Sequence, residues 1–190
     1  LEDLSLDVLE GQLTVIVGPN ACGKSTLLRS LARVLGVRSG VVELDGRALT
    51  TMNQKELARR LGLLAQSSTA PADILVEDLV ARGRYPHQSL LRQWSAEDDE
   101  AVAWAMRQSG VEALARRRVG ELSGGQRQRV WIAMVLAQST DIVLLDEPTT
   151  YLDLNHQLEV LRLARRLQAD GRTIVAVLHD LHLAFRYATH

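Results

Sequence analysis

Short unbroken apolar runs alternate along the chain with longer stretches in which apolar positions return every three or four residues. The runs are Leu13-Thr14-Val15-Ile16-Val17, Leu61 to Ala65, Ile142-Val143-Leu144-Leu145 and Thr173 to Leu178. Runs of this kind fit strands covered on both faces, as in a parallel sheet. Between them, Thr26 to Leu35, Gln54 to Arg60, Gln126 to Ala137 and Leu154 to Asp170 carry helical periodicity, the first closed by Gly36. Leu4, Leu6 and Val8 alternate with Ser5 and Asp7, which predicts a further strand. Val41-Val42-Glu43-Leu44 ahead of Asp45-Gly46 predicts a strand entering a tight hairpin turn.

Residues 66 to 120 change character. Pro71 and Pro86 punctuate a stretch that then turns helical, with a capping box over Ser95 to Asp98 and Val102, Ala105 and Met106 on one helix face. Arg116-Arg117-Arg118 reads as a solvated helix end, and Arg82 and Arg84 as solvated or partner-facing. Strands alternating with helices imply an α/β fold with a mostly parallel sheet, helices on both faces and a helical insertion in the middle.

Composition narrows the function classes. Charged residues are 24% of the 190 and hydrophobic ones 46%, which places the chain among globular proteins. With a formal net charge of -1 and 4% aromatics, there is neither a global positive field nor a set of stacking rings for nucleic acid. The single cysteine, Cys22, excludes an intrachain disulfide and fits a reducing compartment. No apolar run is long enough to span a bilayer, so any work at a membrane goes through a partner. The chain opens on Leu1 rather than Met and stops at His190 inside an amphipathic stretch, which reads as truncation at both ends.

Two constellations carry chemistry. Gly18-Pro19-Asn20-Ala21-Cys22-Gly23-Lys24-Ser25 fits G-x-x-x-x-G-K-[ST] between a strand and a helix. The glycines let backbone N–H groups turn inward onto phosphate oxygens, and the helix after the loop points its positive end at the same place. Lys24 supplies a flexible charge to the outer phosphates and the Ser25 hydroxyl suits Mg²⁺. Cys22 reads as a small filler in that loop. The second constellation is Asp146-Glu147, delivered by an apolar strand to the sheet edge where α/β ligands bind. Asp146 is placed to hold the Mg²⁺ shell and Glu147 to polarise a water as general base. His179 and His182 have a spacing that could suit a metal, but no further ligands accompany them.

Leu122-Ser123-Gly124-Gly125-Gln126, about twenty residues before the acidic strand, resembles the signature motif of ATP-binding cassette (ABC) proteins. The resemblance covers nearly the whole chain. It implies a P-loop NTPase core with an N-terminal antiparallel β portion and a helical subdomain at about 67–138, all within a single domain over 1–190. It implies ATP and Mg²⁺ as cofactors, with Gly18 to Thr26 holding the nucleotide. By the same resemblance, Gln66 matches the Q-loop glutamine that contacts Mg²⁺ or water and couples to the membrane partner. Tyr151-Leu152-Asp153 matches the D-loop, with Asp153 at a dimer seam, and His179 matches the switch histidine at the γ-phosphate. Family members form head-to-tail dimers that sandwich two ATPs, so Ser123, Gly124, Gly125 and Gln126 are expected to close on the other copy's nucleotide. Such proteins usually stack adenine on an aromatic ring from an upstream strand. Nothing before Leu13 is aromatic, so that ring is expected upstream of Leu1.

Arg82-Gly83-Arg84-Tyr85-Pro86-His87 and Thr149 to Gln157 are similar to the ATPase subunits of bacterial importers for iron(III)-siderophores, haem and cobalamin, the siderophore branch above all. That implies a homodimer of ATPase subunits, two permease subunits, an external substrate-binding protein and a peripheral position on the cytoplasmic face of the cell membrane. Residues after Gln66, through about Gln88, are expected to receive a permease helix. The alternative is a soluble ABC ATPase acting on the ribosome or chromosome, whose second cassette, coiled-coil insertion or basic extension is not visible in this sequence.

Overall fold

The computed structural model describes residues 4–89, 94–150 and 152–190. Four strands form one parallel sheet: β1 (Leu13–Ile16), β4 (Leu61–Leu64), β5 (Ile142–Asp146) and β6 (Thr173–Val177), in the order β1-β6-β5-β4. Leu13 pairs with Ile174, Ile142 with Thr173 and Leu61 with Ile142, so the four strands end at about the same level. β2 (Glu43–Leu44) and β3 (Arg47–Ala48) make a separate antiparallel hairpin. Asp45 and Gly46 form its turn, with φ 51 and 74, the left-handed pair that matches strand twist.

Both sheet faces are covered, which explains why the strand sequences are apolar throughout. Val143, Leu145, Ile174 and Ala176 face the main core, while Leu144, Val175 and Val177 face a smaller cluster with Leu28. Leu28 belongs to α1 (Lys24–Leu31). α2 (Gln54–Arg60) packs by Leu57 on Leu49 and Met52 beneath the hairpin.

The helical segment comprises α3 (Val76–Ala81), α4 (Ala96–Gln108) and α5 (Gly124–Ala137), which pack on one another. A 3₁₀ turn over Arg82–His87 holds Pro86 and continues directly from α3. α5 is buried along Val130 to Ala133 and Val135 to Ala137. A Cβ at Gly83 would lie 2.2 Å from the Met134 carbonyl oxygen, so only glycine permits this approach of chain to helix. α6 (Leu154–Ala169) covers the sheet, and α7 (Leu181–Tyr187) comes after β6. No helix among the described residues is long and apolar enough to cross a membrane.

Three expectations need correction. Residues 4–8 form no strand: Leu4 and Leu6 are exposed and only Val8 packs on the sheet, because no described strand lies beside them to supply a ladder. α1 begins at Lys24 and ends at Leu31, well before Gly36. Arg33 takes the left-handed conformation (φ 54), and its guanidinium donates to the Leu49 and Met52 carbonyls, both at 2.6 Å, which turns the chain early. Arg84 is neither solvated nor partner-facing. It is 1% exposed, and its Nε donates to Asp98 Oδ1 at 2.8 Å while Nη1 donates to the Ala137 carbonyl at 2.9 Å and Ser139 Oγ at 3.0 Å. Arg82 is exposed.

Candidate functional site

Each strand of the parallel sheet hands its carboxyl end to one cleft. β1 leads into Gly18 to Ser25, β4 into Gln66, β5 into Asp146 and Glu147, and β6 into His179. The cleft encloses about 640 Å³ and is lined by Asn20, Ala21, Gly23, Lys24, Ser25, Thr26, Gln66, Glu147 and His179. Ligands of α/β proteins bind at this edge because the loops after the strands converge there.

The loop is shaped for an anion. Gly23, at φ 97, caps α1 in a conformation that side chains rarely adopt. No side chain caps α1 and no acid lies in its first turn, whereas Asn53, Ser95, Ser123, Asp153 and Asp180 stand at the starts of α2, α4, α5, α6 and α7. The first-turn N–H groups of α1 therefore face the cleft without a protein acceptor from a cap. Lys24 is buried, and its Nζ donates to the loop carbonyls of Gly18 at 2.9 Å and Pro19 at 2.7 Å. Gly18, Pro19 and Cys22 belong to the loop, with Cys22 exposed and its Sγ 4.0 Å from Lys24 Nζ.

Ser25 Oγ donates to Asp146 Oδ1 at 2.8 Å. Asp146 is fully buried, and its Oδ2 has no partner. A buried carboxylate oxygen left open beside a hydroxyl is the donor set a hard divalent cation takes. Glu147 lies next to it in the left-handed conformation, at φ 52. Its Oε1 is 2.6 Å from His179 Nε2, and its Oε2 accepts from Thr150 Oγ1 at 3.3 Å. The Glu147 side chain is 11% exposed and that of His179 45%, so the carboxylate is shielded behind a reachable imidazole.

The remaining predicted residues lie elsewhere. Ser123, Gly124, Gly125 and Gln126 open α5 and do not line the cleft. Ser123 Oγ accepts from the Gln126 N–H at 3.2 Å, and the Gln126 side chain accepts from the Ser123 N–H at 3.1 Å. Asp153 caps α6, and the backbone N–H of His156, then its imidazole, hold the carboxyl below its usual range. Tyr151 lies outside the described residues. Among the described residues there is no group of three or more His, Cys, Asp and Glu placed to hold a metal ion.

The sequence pattern of the family described as ABC transporter matches residues 1–150. The chain belongs to the ABC transporter family. As an ABC ATPase it is 56% identical over 190 residues to the ferric enterobactin transport ATP-binding protein FepC of Escherichia coli (strain K12), covering all of this chain and 70% of that one. It is 55% identical over 191 residues to the probable siderophore transport system ATP-binding protein YusV of Bacillus subtilis (strain 168), again covering all of this chain and 70% of the relative. Among solved structures, a dimeric bacterial ABC transporter cassette superposes with a TM-score of 0.84 at 27% identity, over 96% of this chain and 81% of that one.

Two features beside this cleft escaped the reading of the sequence. Thr150 touches the Glu147 carboxylate, and nothing in a threonine three residues on signals that contact. Asp180 accepts from the N–H groups of His182 at 2.7 Å and Leu183 at 3.1 Å, which starts α7 directly after His179. An acid ahead of Leu181, Leu183 and Ala184 is an N-cap pattern that could have revealed it.

Proposed function

We propose that this chain is the motor subunit of an importer for iron(III)-siderophore complexes, binding Mg-ATP in the strand-end cleft and hydrolysing it with Glu147. The observation that carries the reading is the meeting of the anion loop, Gln66, Glu147 and His179 in a single cleft, with buried Asp146 accepting from Ser25 of that loop. The siderophore assignment draws on the transport names of the relatives at 56% and 55% identity, and these disfavour a role on ribosomes or chromosomes.

In this reading Gly18 to Thr26 wrap the phosphates, and Lys24 moves from the loop carbonyls to the outer phosphate oxygens. Ser25 and Asp146, with Gln66, would hold Mg²⁺, which would neutralise charge on the phosphate oxygens. Glu147 accepts a proton from the attacking water. His179 leaves Glu147 Oε1 for the γ-phosphate, which frees that oxygen for the water. Ser123 to Gln126 lie outside the cleft and so need a second copy, packed head-to-tail, to meet a nucleotide, with Asp153 near the seam. ATP closes the pair and hydrolysis reopens it, and a permease held against residues 67–88 moves with it as a rigid body. An external binding protein delivers the cargo to that permease, and the motor sits peripherally on the cytoplasmic face.

The test is the full-length protein beside its Glu147→Gln variant. Turnover is expected to fall by about 100- to 10,000-fold, while light scattering detects an ATP-held dimer of the variant. Unchanged turnover would remove Glu147 as the base. In cells carrying the variant as the sole copy, iron(III)-siderophore uptake should stop, and undiminished uptake would sink the transport assignment.

A further inference from the structure

The left-handed backbone of Glu147 is a strained conformation that holds only where neighbours fix it. Within its own loop, the Thr150 N–H donates to the Glu147 carbonyl at 3.2 Å and the Thr150 hydroxyl to Oε2 at 3.3 Å. A further contact comes from outside the loop. Gln128 Nε2 donates to the carbonyl of Pro148, the next residue, at 3.3 Å. Gln128 stands on α5, which Ser123 caps, and the Ser123 carbonyl closes the first helical turn by accepting from the Arg127 N–H at 2.9 Å. From Val130 onward the helix is locked into the core, so its half-buried first turns are the part freer to respond to a ligand.

We propose that Gln128 is a positioning residue that ties the conformation of Glu147 to the state of Ser123–Gln126 on the same helix. The proposal rests on the head-to-tail reading above. There, Ser123 and Glu147 of one chain serve different nucleotides. A phosphate drawn to Ser123 competes with its Gln126 cap, shifts the first turns of α5 and moves the Gln128 amide against Pro148. The base of one site thereby registers occupancy of the other.

The experiment is a double-mutant cycle in the full-length protein: Ser123→Ala, Gln128→Leu and the two combined, with kcat and KM measured for Mg-ATP. Leucine keeps much of the side chain's size and removes the donor, and Gln128→Glu serves instead should the leucine variant unfold. The expected result is a fall of about tenfold in kcat for Gln128→Leu with KM held within about twofold, the pattern of an interaction made in the transition state. The combined variant should be no slower than the slower single one, because both changes cut one route. Unchanged kcat, a matching rise in KM, or a combined loss equal to the product of the single losses would each overturn the proposal. Light scattering of Glu147→Gln with ATP separately tests the pairing: a protein that stays monomeric would overturn the head-to-tail reading, whatever the cycle shows.

Discussion

Asp146 at the end of β5 and Asp98 in the first turn of α4 are both withdrawn from solvent, at 0% and 1% exposure, yet their surroundings differ. Asp98 is saturated: Arg84 Nε donates to Oδ1 at 2.8 Å, and the Ser95 N–H and hydroxyl donate to Oδ2 at 3.0 and 2.9 Å. Asp146 has Ser25 on one oxygen and nothing on the other. Burying a charge without full pairing costs stability, and the cleft carries that cost where the helical segment does not. In the proposed function the open oxygen is a place kept for a ligand, whereas the closed set is a joint.

The comparison predicts opposite outcomes for one chemical change. Asp146→Asn should lower Mg-ATP turnover by about 100-fold or more, since several kcal/mol of charge stabilisation goes with the metal, while the ligand-free protein melts within a few degrees of the parent. Turnover assays beside thermal melts decide it. A variant that loses its fold but not its turnover per folded molecule would erase the distinction.

Asp98→Asn should do the reverse. Removing one partner of a buried ion pair costs about 3–5 kcal/mol, readable in urea unfolding, whereas the turnover of the folded fraction changes little. A well-packed Arg84→Met, Asp98→Leu pair should recover much of the loss. Acid sharpens the point. Burial alone pushes the Asp98 carboxyl up, but the hydrogen bonds from Arg84 and Ser95 outweigh it and hold the group below its ordinary value. With a folded pKa below the unfolded one, its stabilisation is present above about pH 4 and lost as pH falls through the folded value. The gap between parent and Asp98→Asn in urea should therefore shrink from pH 7 to pH 3.

Gly83 tests how tightly that joint is closed. Gly83→Ala drives a methyl group against the Met134 carbonyl and should cost about 1–3 kcal/mol. Gly36→Ala, where a Cβ meets nothing within 4 Å, is the control and should be neutral or stabilising by about 0.4–1 kcal/mol. Equal effects at the two sites would mean that chain and helix can part at little cost.

The two carboxylates also differ in how far the sequence exposed their places in the fold. The position of Asp146 at a strand end was legible from the apolar run before it, and the phosphate-loop pattern pointed to Ser25, 121 residues away, as its neighbour. Asp98 was legible only as a helix cap. Its ion pair was not, because Arg84 lies 14 residues back, outside helical spacing, and the Ala137 and Ser139 acceptors that help hold its guanidinium are 53 and 55 residues away. Arg33 misled for a related reason. A left-handed arginine ends α1 by gripping the carbonyls of Leu49 and Met52, while the local rule favours the glycine at position 36. The alternation of Leu4, Leu6 and Val8 was real, but alternation describes a side-chain pattern and a strand also needs a neighbour to pair with.

Ser123 lies between the two extremes, and its substitution should have the smallest effect on the fold. Its hydroxyl is satisfied, though only by the Gln126 N–H at an exposed helix start. Ser123→Ala should cost about 1 kcal/mol in urea, the ordinary loss of a helix cap. If Ser123 served the helix alone, Ser123→Asp would keep an acceptor at the cap and leave turnover intact. In a site that must receive a phosphate, the same carboxylate repels the ligand while still capping α5. Ser123→Asp should therefore hold the parent's stability and lose most of its Mg-ATP turnover; a variant with both intact would place this serine with Asp98 rather than with Asp146.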